Sequence, residues 1–399
     1  MVYVDLSNGN RRGCTNASYG PFKETYSMKN GIERPVLCSV TFLLVVGGVL
    51  FGCDKGAVDD TGLVTTDVVT DTGTTTVTTD TSTTDTGGTQ TTDTGTPPSP
   101  DVVRFIAFGD GGTGSTDQYD NAQAVLALCT QKADSEAGCD FALYLGDNFY
   151  DEGVDSVADE QFQSKFEQPY ADLDFPFYVV LGNHDYGGCI FGSCGAGYEF
   201  DKAQYYLDYA ALSTKWVMPS EYYTFTNDHV DFFGLDTNAL MWEPWFGTGS
   251  DQAAWLPQAL AASSAEWKIA FGHHPYISNG QHGNAGEYEG LDWLDWASTD
   301  VVTGGFVEEV MSNSLCGEVD LYICGHDHNR QWLEPTCGTE FIVTGAAAKT
   351  TDLQGRGTPT FFEDDTTPGF LWVEIQDNQL TGEFYSIDGT LQYSRTVTK

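Results

Sequence analysis

Apolar and polar positions along this chain fall into three regimes. From Val36 to Gly52 the residues are almost uniformly apolar; from 54 to 100 they are dominated by Thr and Asp with no aromatic residue; from Asp101 onward short apolar runs alternate with amphipathic stretches. In the third regime Val102 to Phe108, Phe141 to Leu145 and Phe177 to Leu181 read as buried strands, each running into a polar turn. Helices are predicted over Asn121 to Cys129, around Phe162 and Phe166 at i, i+4 spacing, and from the cap Ser250-Asp251 through Ala262. Tyr222 to Thr226 and Val230 to Leu235 predict a hairpin about Asn227-Asp228, and Tyr186 to Tyr209 a Gly- and aromatic-rich loop. Trp267 to Phe271 and Leu321 to Cys324 are further strands, and the tail supplies four more: Glu340 to Thr344, Phe370 to Ile375, Leu380 to Ser386 and Leu391 to Val397. With no internal repeat, residues 101–399 predict one layered α/β domain.

The polar turns carry the chemistry. Five of them stand at strand ends: Asp110; Asp147 with Asn148 and Tyr150; Asn183 with His184; His273 with His274; and His326 with His328. A single Gly-Asp turn is common, and a lone histidine is more often a satisfied polar residue than a ligand. Five such turns in one chain are another matter, for they gather six of its seven histidines at or near them once His282 is counted. Strand ends are where open α/β sheets place their sites. Asp, Asn and His together are the ligand set of a two-metal hydrolase, which points to a metal-dependent phosphatase centred on Asp147.

Charge narrows the options. The chain's formal net charge is −41, and residues 101–399 hold 47 Asp and Glu against 11 Lys and Arg, so no basic stripe for nucleic acid exists. Positive charge for a phosphorylated substrate must then come from bound metal.

The apolar run Val36 to Gly52, preceded by Lys29 and Arg34 and followed by Cys53, reads as an export signal. Leu50-Phe51-Gly52-Cys53 is similar to a bacterial lipoprotein processing box, so residues 28–53 predict either a signal lipidated at Cys53 or an uncleaved membrane anchor. Both place the domain outside the cytoplasm, tethered to a bacterial envelope. Residues 1–27 lie upstream of Met28, a candidate start, and 54–100 predict a disordered, self-repelling linker. Export favours disulfides, and short spacings suggest Cys129 with Cys139 and Cys189 with Cys194; Cys316 with Cys337 could follow, leaving Cys324 free in an apolar strand.

The order and wording of the motifs resemble the metallophosphoesterase superfamily, and within it the tartrate-resistant purple acid phosphatases. Gly-Asp-Asn-Phe-Tyr at 146–150, Gly-Asn-His-Asp at 182–185, Gly-His-His-Pro at 272–275, Gln-His-Gly at 281–283 and Cys-Gly-His-Asp-His-Asn at 324–329 carry the resemblance. Lys215-Trp216 with Pro219, Leu235-Asp236-Thr237, Trp255-Leu256 and Gly369-Phe370 echo it between them. The resemblance implies two packed mixed β-sheets flanked by helices, the four-layer metallophosphoesterase sandwich.

It also implies a dinuclear centre. Asp110, Asp147, Tyr150 and His328 would hold Fe3+, and Asp147, Asn183, His273 and His326 would hold Fe2+, Zn2+ or Mn2+, with Asp147 bridging. Most of the superfamily opens with Asp-x-His; here Gly112 replaces that histidine, and a Tyr150 phenolate would make good the missing ligand. His184 and His282 resemble the outer histidines that hold phosphate oxygens and protonate the leaving alkoxide. The implied reaction is hydrolysis of a small phosphate monoester by a metal-bound hydroxide without a phosphoenzyme. A phosphodiesterase or nucleotide hydrolase of the same superfamily is the alternative, and a stalked surface-binding module without catalysis is the non-enzyme alternative. His274 stands where mammalian-like enzymes have Tyr, His229 beside the hairpin turn is expected on the surface, and the loop 187–212 is expected to wall the pocket.

Overall fold

Residues 102–190, 193–290 and 300–399 are described by the computed structural model. The segments read above as an upstream stretch (1–27), a signal or anchor (28–53) and a linker (54–100) lie outside them. Among the described residues no helix is long and apolar enough to cross a membrane.

The first part of the domain runs β1 (Val102–Phe108), α1 (Thr116–Lys132), β2 (Phe141–Leu145), β3 (Phe177–Val180), α2 (Asn183–Tyr186), the small hairpin β4 (Cys189–Ile190) and β5 (Ser193–Cys194), α3 (Ala203–Tyr209) and β6 (Trp216–Val217). The middle runs β7 (Tyr223–Asn227), β8 (Val230–Gly234), α4 (Thr237–Phe246), α5 (Ser250–Ala262), β9 (Trp267–Phe271), α6 (Asp300–Thr303), α7 (Gly305–Val310), β10 (Leu321–Cys324), β11 (Arg330–Thr336) and β12 (Thr339–Thr344). The tail adds β13 (Thr360–Asp364), β14 (Gly369–Gln376), β15 (Gln379–Ser386) and β16 (Leu391–Thr398).

Two seven-stranded mixed sheets result, in the orders β16-β15-β14-β1-β2-β3-β6 and β13-β11-β12-β10-β9-β8-β7. In the first, β1, β2, β3 and β6 are parallel, with β14 antiparallel to β1. In the second, β8, β9, β10 and β12 are parallel. Strand periodicity explains the layering. Val103, Phe105 and Ala107 of β1 point between the sheets, against Phe232, Ile269, Phe271 and Ile323, whereas Ile106 and Phe108 point outward into a core shared with α1. A third core, with Leu256, Leu260, Val307 and Met311, covers the far face of the second sheet. Strands buried on both faces must be apolar throughout, which is why they stand out in the sequence.

Several sequence expectations change. The helix expected around Phe162 and Phe166 is a single wide turn at Gln163–Glu167, with Phe166 held in the outer core. The expected loop after Tyr186 contains the hairpin β4–β5 and α3. β11 and β13 were not expected; β11 pairs with both β12 and β13. His229 is half-buried rather than exposed, and neither of its ring nitrogens has a partner. All three expected disulfides form, and Cys324 stays free and buried.

Candidate metal centre

Each parallel strand that approaches the site ends in glycine followed by a polar residue. Asp110, Asp147 and His326 directly follow Gly109, Gly146 and Gly325, and their φ angles are +61°, +53° and +68°. Left-handed backbone is costly for residues with a Cβ, and such strain gathers where function over-determines a position. Here it turns each side chain from the strand line into one shared space.

The side chains converge from both sheets. Asp110 and Asp147 are fully buried. The Tyr150 hydroxyl lies 2.8 Å from Asp110 Oδ1, 2.9 Å from Asp147 Oδ2 and 3.2 Å from His328 Nε2. His328 Nε2 is 3.3 Å from Asp110 Oδ1. On the other side, His273 Nε2 is 3.5 Å from Asp147 Oδ2, 3.1 Å from Asn183 Oδ1 and 3.1 Å from His326 Nδ1. Two potential metal-holding groups emerge, Asp110 with Asp147 and His328, and Asp147 with His273 and His326, and they share Asp147.

This donor set fits cations and little else. Tyr150 has one hydroxyl proton for two carboxylate oxygens, so with Asp110 and Asp147 ionised one close oxygen pair has no proton between its atoms. His273 Nδ1 lies 2.8 Å from the Leu145 carbonyl, which can only accept, so that nitrogen carries the ring proton. In neutral His273 the Nε2 lone pair therefore faces Asp147, Asn183 Oδ1 and His326. Burial disfavours a charged His273, yet the Asp147 carboxylate raises it to about 9. In other words, the space demands positive charge. Burial and the Asp110 and Asp147 carboxylates push the Tyr150 phenol well above its usual value. A bound multivalent cation inverts that preference and makes a phenolate ligand accessible. The seven residues predicted as ligands, Asp110, Asp147, Tyr150, Asn183, His273, His326 and His328, are thus brought together.

The two predicted outer histidines flank them. His184 has its ring centroid 4.4 Å from that of Tyr150, and His282 has its centroid 4.0 Å from that of His326. His184 Nδ1 donates to the Asp151 carbonyl at 2.7 Å, leaving Nε2 free, while its backbone N–H donates to Asp147 Oδ1 at 2.8 Å. His282 Nδ1 pairs with the Glu289 carboxylate. His274 is buried, with Nδ1 2.9 Å from Thr237 Oγ1 and its ring centroid 4.4 Å from that of His326.

Three supporting residues escaped the sequence reading. Asp185 accepts from the backbone N–H groups of Asn148 (2.9 Å), Phe149 (3.0 Å) and Gly182 (2.8 Å), locking two ligand-bearing turns together. Its place in Gly-Asn-His-Asp was the available signal. Asp327 accepts from the His282 backbone N–H at 2.8 Å and so positions that loop. Lys349, whose ammonium lies 3.5 Å from the Tyr150 ring centroid, follows an unremarkable Ala-Ala-Ala run that offered no signal. Close approach also constrains Gly182, where a Cβ would stand 2.3 Å from Asp147 Oδ1.

Comparison with known proteins agrees with this geometry. The calcineurin-like phosphoesterase profile matches residues 68–330. Tartrate-resistant acid phosphatase type 5 of Mus musculus is 29% identical over 335 residues, covering 76% of this chain and 93% of the mouse protein. Purple acid phosphatase 3 of Arabidopsis thaliana is 28% identical over 313 residues, covering 72% of this chain and 75% of the plant protein. Among solved structures, GAP50, the anchor in the inner membrane complex of Plasmodium, superposes with a TM-score of 0.56 at 22% identity, covering 74% of this chain and 89% of that one, which bears on fold alone. With a matching profile over most of its length and that family's fold, the chain belongs to the calcineurin-like phosphoesterases.

Proposed function

We propose that this protein is a phosphatase that hydrolyses phosphate monoesters at a dinuclear centre, with Fe3+ at Asp110, Asp147, Tyr150 and His328 and Fe2+, Zn2+ or Mn2+ at Asp147, Asn183, His273 and His326. The observation that carries the reading is the convergence of these seven side chains on one space short of protons, with His184 and His282 beside it. The relatives named tartrate-resistant and purple acid phosphatases support it. When bound, two cations supply charge neutralisation for the phosphoryl oxygens and acidify water.

The chain's own groups do the rest. His184 is fixed through Nδ1 on the Asp151 carbonyl; because that nitrogen carries the proton of the neutral ring, Nε2 can donate to a phosphoryl oxygen only from the doubly protonated imidazolium. Burial lowers His282, but its bond to Glu289 and the nearby Asp327 carboxylate raise it further, for a net rise. A histidine kept protonated in this way suits a general acid: Nε2 gives its proton to the leaving alkoxide, and Glu289 holds the ring in line. Among the described residues no thiol competes as a nucleophile, because Cys324 is buried in β10 with its sulfur 3.5 Å from the Ile342 carbonyl. Export with a membrane tether at 28–53 belongs to the same proposal, and three disulfides support the export part of it.

The test is kinetic. The metal-loaded protein should turn over a phosphate monoester with kcat/KM well above that for the matched bis-ester. A preference for the bis-ester would instead make it a phosphodiesterase.

A further inference from the structure

The cavity that reaches Asn183, His184 and His326 has a volume of about 500 Å3, and Met241, Trp242, Trp245, Tyr288 and Val302 also line it. The two tryptophans come from α4, with ring centroids 5.5 Å apart at 67°. Trp242 is buried, and its indole N–H donates to the Ala196 carbonyl at 3.1 Å, so its ring is a fixed wall. That carbonyl belongs to the segment just after the Cys189–Cys194 disulfide, next to Gly195, whose carbonyl accepts from Asn183 Nδ2 at 2.6 Å. One short stretch thus positions a metal-site amide and the aromatic wall together. Trp245, by contrast, is 53% exposed.

Charge sharpens the reading. Among the described lining residues none is Lys or Arg, and Glu289 contributes a carboxylate. A leaving group bearing a second phosphate or a carboxylate would meet that anion with no Lys or Arg to receive it, and His282 is already paired with Glu289. A small polyol would leave the indole of Trp245 in water. A planar uncharged ring would cover it and stack, removing apolar surface from solvent.

We propose that this part of the cavity is a leaving-group subsite in which the indole of Trp245 stacks on an uncharged aromatic ring, with Trp245 as the specificity-determining residue. The inference rests on reading the site as a monoester hydrolase.

Phenyl phosphate and glycerol phosphate, assayed with the parent chain and with Trp245→Ala, test it. Comparing the variant-to-parent ratio for each substrate cancels the intrinsic difference between the leaving groups. The aryl-to-alkyl preference in kcat/KM should fall roughly fivefold to tenfold in Trp245→Ala, through KM. An unchanged preference overturns the subsite. Independently, phenylphosphonate should quench tryptophan fluorescence saturably, methylphosphonate should not, and Trp245→Ala should lose the effect; absence of quenching in the parent also overturns it. Should the parent hydrolyse neither monoester, the reading of the reaction fails, and phenylphosphonate quenching alone then decides whether the subsite stands.

Discussion

The two sheets contribute differently to the centre. The strand ends of β1, β2 and β3 bring oxygen donors, Asp110, Asp147, Tyr150 and the Asn183 amide, while those of β9 and β10 bring the imidazoles His273, His326 and His328. Each potential metal group draws on both sheets. The seam is also stitched by backbone. His326 N–H donates to Asp110 Oδ2 at 2.9 Å, Gly109 N–H to the Thr344 carbonyl at 2.9 Å, and His273 Nδ1 to the Leu145 carbonyl at 2.8 Å. The difference teaches that neither half is a site: one holds buried negative charge without enough protons, the other holds lone pairs, and a cation satisfies both at once.

Removing the shared residue should break this partnership most severely. Asp147→Ala is expected to lose both metals by elemental analysis and to cost more activity than the roughly 100-fold that losing an outer partner of a ligand costs. His326→Ala and His328→Ala should each retain one metal per chain, since they serve different groups. Next in size is metal removal from the intact chain. Because ligands come from both sheets, bound metal should staple them. At a thousand times Kd a single cation adds about 4 kcal/mol, which for a domain of this size is on the order of 10 °C in Tm. Calorimetry before and after chelation reads this directly.

A smaller effect probes the backbone seam. A Cβ at Gly325 would lie 2.6 Å from Asp110 Oδ2 and 3.1 Å from the Leu145 carbonyl, so Gly325→Ala should force the sheets apart locally and cost about 1–3 kcal/mol in urea unfolding.

The smallest concerns pH. Burial raises Asp236 from 3.8 to about 7, even though the Tyr186 hydroxyl and the Ala239 N–H donate to it. Its folded value lies above its unfolded one, so folding takes up a proton between them. The resulting stability is complete below about pH 4 and is lost as pH rises through about 7. Asp236→Asn keeps the acceptor and should flatten that part of the stability–pH curve. An unaltered slope would show that Asp236 does not titrate there.

The centre was readable from sequence because its residues sit in short turns directly after apolar strands, where local pattern and chemistry coincide. Asp110, Asp147 and His326 each follow a glycine, and the strands before them are buried on both faces. The elements that escaped depend on distant partners. β11 is recognisable as a strand only beside β12 and β13, because its first two residues are buried and polar: Arg330 donates to the Tyr385 carbonyl at 2.7 Å, and Gln331 to Asn329 Oδ1 at 2.6 Å. The stretch after Tyr186 looked like loop because its order comes from the Cys189–Cys194 bridge and from packing, with Tyr206 in the outer core, rather than from periodicity. Trp245, exposed on α4 beside the cavity, likewise carries meaning only once the fold places it there.

The central claim is that Tyr150, from the oxygen-rich half, is a metal ligand that replaces the histidine missing at Gly112. The visible absorption spectrum of the protein loaded with iron under oxidising conditions, recorded beside Tyr150→Phe, tests it most directly. A charge-transfer band in the parent that is absent from the variant is the predicted result. Stoichiometric iron in the parent with no such band would contradict the account, removing Tyr150 from the ligands and returning phosphodiesters to consideration.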